Sequence, residues 1–271
     1  MKGILKSFGA VIWFIAMQII GTVIIVIIKT INDEIWADAI LTSLERGDYQ
    51  TYITTVLEIL PYTLILADIL ILIPIIIKII YKKEKIISKI KYSEAFFIFS
   101  LAISLNTIIS LIVEYLPASS TKYYNSLMGI VIQMGFIPML ILSGILAPII
   151  EEFIFRYIMI NSINKSIKHN GIKKAVIISS LLFGLAHLNI IQSTYAFMLG
   201  IVLGYLYVKN NEFNLLRCML FHITVNVSSI VYEFSNQVLR LFLTAGIIFM
   251  FAFTVFYLVS DKYKFARQSL Q

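Results

Sequence analysis

The chain has 271 residues, 59% of them hydrophobic and only 14% charged, and a mean hydropathy of +0.91. A soluble domain of that length has no use for so much apolar surface, so the medium this sequence suits is a bilayer. The formal charge of +7 does not point to nucleic acid, because the lysines flank apolar runs, and a single cysteine (Cys218) with three histidines excludes an intrachain disulfide and a Cys/His structural zinc cluster.

Lys2 and Lys6 open the chain ahead of an apolar run over 8–28. That run is long enough to cross a bilayer and too long for a signal-peptide core, which predicts an uncleaved first helix with its amino end inside. Positions 29–58 carry Asp33, Glu34, Asp38, Glu45, Asp48 and Glu58 against Lys29 and Arg46. This reads as an exterior loop with room for a short interfacial helix. A second span over 59–80 contains Pro61 and Pro74, with Asp68 at its middle as a structural or cavity-lining carboxylate. Lys78, Lys82, Lys83, Lys85, Lys89 and Lys91 then mark the cytoplasmic side. A third span over 95–116 and a short exterior turn over 117–125 lead to a fourth helix over 126–164, which passes Gly135, Pro138, Gly144 and Pro148.

Lys165, Lys168, Lys173 and Lys174 form a second basic loop, followed by a fifth helix over 173–189. A shorter sixth over 194–208 carries Gly200 and Gly204 at a spacing that signals helix packing, and ends at Lys209. The seventh, over 214–232, holds Arg217, His222, Thr224, Asn226, Ser228 and Ser229, too polar for lipid, and is expected inside the bundle. An eighth span over 239–259 leads to a tail with Lys262, Lys264 and Arg267. Exterior segments collect only Lys29, Arg46, Lys122 and Arg240 of the 22 basic residues. The expected fold class is therefore all-α, a polytopic membrane bundle of eight transmembrane helices with both termini inside, sited in the cytoplasmic membrane of a prokaryote. It divides into 1–125, with helices 1 to 3, and 126–271, with helices 4 to 8. The basic loops are expected to meet anionic lipids, and nucleic acid is not a partner.

The stretch 148–157, PIIEEFIFRY, puts charge where the surroundings are nearly all apolar. On a helix Glu152 and Arg156 stand at i and i+4 and can pair, while Glu151 is turned by about 100° and left available. Two more segments place polar groups four apart on one face, Phe183 with His187 and His222 with Asn226. Counted from the nearest interior lysine, Glu151 lies 14 residues from Lys165, His187 14 from Lys173 and His222 13 from Lys209. At about 1.5 Å per residue, all three reach roughly the same depth of 20 Å, provided the helices are continuous.

A carboxylate and two imidazoles at one level suit two routes to hydrolysis. Glu151, His187 and His222 can hold a divalent ion, zinc foremost, that acidifies a water. Alternatively, Glu151 acts as general base on the water while a histidine orients it or protonates the leaving amine. Asn226 is placed to donate to a developing oxyanion. No HExxH helix is present. Ser179, Ser180, Ser228 and Ser229 read as packing or backbone-bonded residues rather than nucleophiles.

The order EExxxR (Glu151, Glu152, Arg156), FxxxH (Phe183, His187) and HxxxN (His222, Asn226) on separate membrane helices resembles the CPBP family of CAAX-processing and bacteriocin-processing intramembrane proteases. The resemblance covers about 142–232, the expected catalytic core. It implies that Glu151 activates the hydrolytic water, His187 and His222 complete the site, Asn226 supports the oxyanion, and Glu152 with Arg156 is the supporting pair. It also implies a membrane-associated or prenylated protein or peptide precursor as substrate. Where the family commonly has glycine after the arginine, this chain has Tyr157.

Taken singly, each motif is more often structural, since a lone intramembrane histidine commonly just bonds between helices and a Glu/Arg pair locks packing. Their joint order and common depth favour an enzyme site. Two readings from other classes stand beside it: a non-catalytic membrane immunity or sensor protein, and a proton-coupled transporter using Glu151, His187 and Asp68 as a relay.

Overall fold

The computed structural model describes residues 2–82, 86–167, 169–209 and 213–268. Lys83, Lys85 and Lys168 of the predicted basic loops lie outside them. The described residues form helices and connecting turns with no strand. In chain order these are α1 (Lys2–Asn32), α2 (Glu34–Arg46), α3 (Tyr49–Leu57), α4 (Leu60–Lys82), α5 (Tyr92–Glu114), α6 (Ala118–Ile132), α7 (Phe136–Asn164), α8 (Gly171–Leu185), α9 (Ile190–Val208), α10 (Leu215–Glu233) and α11 (Gln237–Gln268).

Six helices among the described residues are long and apolar enough to cross a membrane: α1, α4, α5, α7, α9 and α10. The other two predicted spans differ from the rest. The fifth is α8, only 15 residues long, because the chain turns at 186–188 and Asn189 starts a new helix by accepting from the amides of Ile191 and Gln192. The eighth lies within α11, whose apolar portion is Gly246–Val259. The predicted fourth helix is also divided. Its first part belongs to α6, which begins just after Pro117 and absorbs the predicted exterior turn, and Gly135 at φ +84° breaks the chain before α7 starts. The boundary drawn at 125/126 thus falls inside α6.

The acidic stretch 29–58 is a helical hairpin. Asp33 and Asp48 cap α2 and α3 through their carboxylates, Gly47 turns between the helices at φ +66°, and Trp36 Nε1 donates to Thr55 O at 3.0 Å. Hydrogen bonds from the Thr51 hydroxyl and amide hold the Asp48 carboxyl below its ordinary range.

The buried core runs through α4, α5, α7, α8, α9 and α10. α5 is flanked by α10 and α11, with Phe97 stacked on Tyr257 at 4.4 Å and Phe96 edge-on to Phe253 at 4.5 Å. The polar seventh span packs inside the bundle, with Arg217, His222 and Thr224 buried, Asn226 and Ser228 half-buried and Ser229 exposed. Arg217 and Lys209 share Glu94 Oε1 at 3.1 Å each, and Asn106 links to Ser228 and Ser229. Ser179 and Ser180 donate to backbone carbonyls, as their reading as packing residues requires.

The glycine pair of α9 packs tightly on α8. A Cβ at Gly204 would stand 2.6 Å from Val176 Cγ1, and one at Gly200 would stand 3.0 Å from Ser180 Cα. Gly204→Val is expected to cost about 1–3 kcal/mol by overpacking. Val176→Ala added to it should recover part of the loss in thermal unfolding, and no recovery would mean that these two positions do not govern the contact.

Candidate active site

The site is built on an irregular helix. α7 is widened over Leu140–Leu146 and again over Glu152–Ile160, where the turns are of π type, and the Ala147 amide reaches back five residues to Leu142 O. Pro148 supplies a reason between the two stretches, since it lacks the N–H that would bond to Gly144 and its ring crowds that carbonyl. Such widened turns bring in an extra residue per turn and re-aim side chains. The Glu-Glu pair sits at the second junction, with Glu151 closing a regular turn and Glu152 opening the wide one.

Glu152 meets Arg156 as the four-residue spacing predicts. Glu152 and Arg156 are both fully buried, with Arg156 Nε 3.2 Å from Glu152 Oε2. That approach is an ion pair in distance only, because Oε2, Nε and Nη1 have no aligned hydrogen bond among the described residues. Arg156 is further held by Gly200 O at 3.4 Å and by the Phe183 ring, whose centroid is 4.5 Å from its guanidinium carbon. Tyr157 fits at 5% exposure, edge-on to Phe153, in the place where the family commonly has glycine.

Glu152 has a second partner that spacing does not reveal. His222 Nδ1 lies 2.8 Å from Glu152 Oε1, and its Nε2 is 3.6 Å from Glu151 Oε2. A carboxylate only accepts, so Nδ1 carries a proton and Nε2 is the nitrogen turned to Glu151. Arg156, Glu152, His222 and Glu151 thus stand in a row, in which the His222–Glu152 link is the hydrogen bond and the two outer links are approaches of 3.2 and 3.6 Å.

Glu151 and His187 line one cavity of about 300 Å³. His187 stands just beyond α8, in the turn rather than on the helix, and Leu188 at φ +54° reverses the chain after it. Its Nδ1 donates to Phe183 O at 2.9 Å, which leaves Nε2 as its other ring nitrogen. Phe183 also stands edge-on to both imidazoles, with centroids at 5.1 Å from His187 and 5.6 Å from His222. The FxxxH and HxxxN segments therefore meet through one phenyl ring.

Asn226 is placed differently. Its amide donates to Ser143 O at 2.8 Å, and it lines an adjoining cavity rather than the one holding Glu151. Asn226→Ala leaves the Ser143 carbonyl without that donor and is expected to lower stability by about 1 kcal/mol. Thermal unfolding measures this, and an unchanged midpoint would show that the bond contributes nothing.

The wall opposite α7 comes from the amino-terminal helices. Gln18 of α1 and Asp68 of α4 line the cavity with Glu151, and Asp68 is 6% exposed. Asp68 is thus a cavity residue, one of the two alternatives open to it. Sequence reasoning passes over Gln18, although it is the one amide in the apolar run 8–28. α1 and α4 are held together where Gly21 lets Ala67 approach, since a Cβ there would stand 2.9 Å from Ala67 N.

The side chains named for a divalent ion do not gather into a ligand set. Glu151 and His222 approach each other, but among the described residues no three His, Cys, Asp or Glu side chains are grouped to hold one ion.

Six apolar helices, with a carboxylate and an imidazole lining one cavity between them, suit an integral membrane protein with a polar site inside its bundle. Residues 133–228 match the family described as type II CAAX prenyl endopeptidase Rce1-like. The matched stretch contains every residue of the three motifs and supports a likeness to the CPBP/CAAX protease family. Comparison with curated proteins and with solved structures gives no match.

Proposed function

We propose that the protein is an intramembrane endopeptidase that hydrolyses a peptide bond in a membrane-associated or prenylated protein or peptide precursor, with Glu151 as the base. The observation that carries this reading is the shared cavity of Glu151 and His187, with His222 fixed behind Glu151 by Glu152. Glu151 takes a proton from a water, and the oxygen attacks the scissile carbonyl carbon. The C–N bond then breaks and the amine leaves with a proton returned from the site. His222 orients Glu151, and His187 Nε2 is the second titratable atom available to the reacting groups.

Asn226 supports the oxyanion in this scheme only if its second amide hydrogen turns towards the first cavity, because the other is engaged by Ser143. The proposal rests on the protein's own groups. Zinc remains the ion to look for, by metal content measured on the active preparation. The lysine distribution supports eight crossings with both ends inside a cytoplasmic membrane and anionic lipids against the basic loops.

The transporter reading draws on the same cavity, since Asp68, Glu151 and His187 all line it. One preparation separates the two. Purified protein in liposomes is expected to cut membrane-peptide substrates at a defined bond, read by mass spectrometry of the new ends. Proton flux abolished by Glu151→Gln, with no cleavage by the wild type, would overturn the protease reading.

A further inference from the structure

The larger cavity next to the site, about 510 Å³, lies between α5, α6, α7, α9 and α10. It adjoins the first at Ser143, which lines both, and the Asn226–Ser143 hydrogen bond stands at that junction. Its wall mixes Val, Ile, Leu and Met side chains with three primary amides, Asn106, Gln192 and Asn226.

Resting on the protease reading above, we infer that this second cavity binds an extended polypeptide segment of the substrate on one side of the scissile bond, with a cationic side chain at its Glu114 end. The volume suits a ligand site, in which a mainly apolar wall carries a few placed polar groups. The polar groups decide the class of ligand. An amide side chain both donates and accepts, which is what each buried peptide unit needs in a medium without water. Asn106 and Asn226 keep further capacity beyond their bonds to Ser228, Ser229 and Ser143, and an isoprenoid or acyl chain would meet neither that capacity nor the Gln192 amide.

Continuity gives the direction. A chain lying in the second cavity passes Ser143 and enters the cavity of Glu151, which puts one peptide bond at the junction. Glu114, the last residue of α5, lines the second cavity but not the first, is exposed and makes no ion pair among the described residues. A lysine or arginine of the substrate is its complement. The methionines of the wall, Met128 and Met139, adapt to different side chains.

Binding of short fluorescein-labelled peptides, identical except for a central lysine, alanine or glutamate, tests this on the full chain in lipid nanodiscs. Glu151→Gln protein serves as the background, so that binding is read without cleavage. Ser110→Trp places an indole in the cavity from an exposed position on α5. It is expected to abolish binding of all three peptides. Glu114→Gln, a conservative change at the surface, is expected to weaken the lysine peptide about fivefold and leave the alanine peptide unchanged.

The inference is overturned if Ser110→Trp binds the peptides as tightly as its parent, or if a labelled fatty acid binds the cavity and the peptides do not. Peptide binding lost in Ser110→Trp with no cleavage by the wild type would instead retire the protease reading and keep the site. Cleavage that is indifferent to both substitutions would do the reverse.

Discussion

Glu151→Gln is expected to lower the rate of peptide-bond cleavage by roughly 10²–10⁴-fold, the usual worth of a positioned general base, while the thermal midpoint stays near that of the wild type. The amide has the volume of the carboxylate and cannot take a proton from water. Stability should survive because Glu151 is not the anchored member of the pair. Its side chain is 20% exposed in the cavity, where Asp68 also stands, and its nearest ionisable partner among the described residues, His222 Nε2, is 3.6 Å away. His222→Ala should cost as much in rate but also lower stability, because it leaves Glu152 Oε1 buried without the donor that stands at 2.8 Å. The two losses should not add when combined, since both act on one proton-transfer step. Single-turnover cleavage with thermal unfolding of the same preparations decides it, and normal turnover by Glu151→Gln would remove Glu151 from the role of base.

Helix arithmetic made half of this site legible. Four-residue spacing fixed the Glu152–Arg156 pair, whereas the depth count from interior lysines assumed continuous helices, and His222 stands on a helix that starts only at Leu215 while His187 lies beyond the end of α8. It failed where the backbone leaves the regular period. The widened turns around Pro148 are not written in apolar spacing, and Asn189 reads as an ordinary polar residue until it is seen capping α9. Contacts between distant segments were invisible for a different reason. Nothing near His222 announces that Glu152 will hold its Nδ1, and nothing near Asn226 announces that its amide will bond to Ser143. The amino-terminal wall lay between these cases. Asp68 was conspicuous as a charge in an apolar run, but only packing decides which cavity such a charge meets.

Arg156→Ala is expected to destabilise the protein by about 3–5 kcal/mol, the cost of leaving a buried carboxylate without its cation. Both partners are fully buried, and the guanidinium also lies against Phe183, which in turn borders both imidazoles. Loss of activity in Arg156→Ala alone would therefore say little, because stability and site geometry fall together. The double change Glu152→Leu/Arg156→Met separates them. Apolar replacement of both members removes the charges and refills the volume, so most of the stability should return. Activity should not, because an isobutyl side chain in place of the Glu152 carboxylate offers His222 Nδ1 no acceptor, and the imidazole is free to turn or change tautomer. Thermal unfolding with cleavage measured on both variants reads the two effects apart. If the double variant recovers cleavage along with stability, Glu152 is a packing residue and the row from Arg156 to Glu151 carries no orientation to the site.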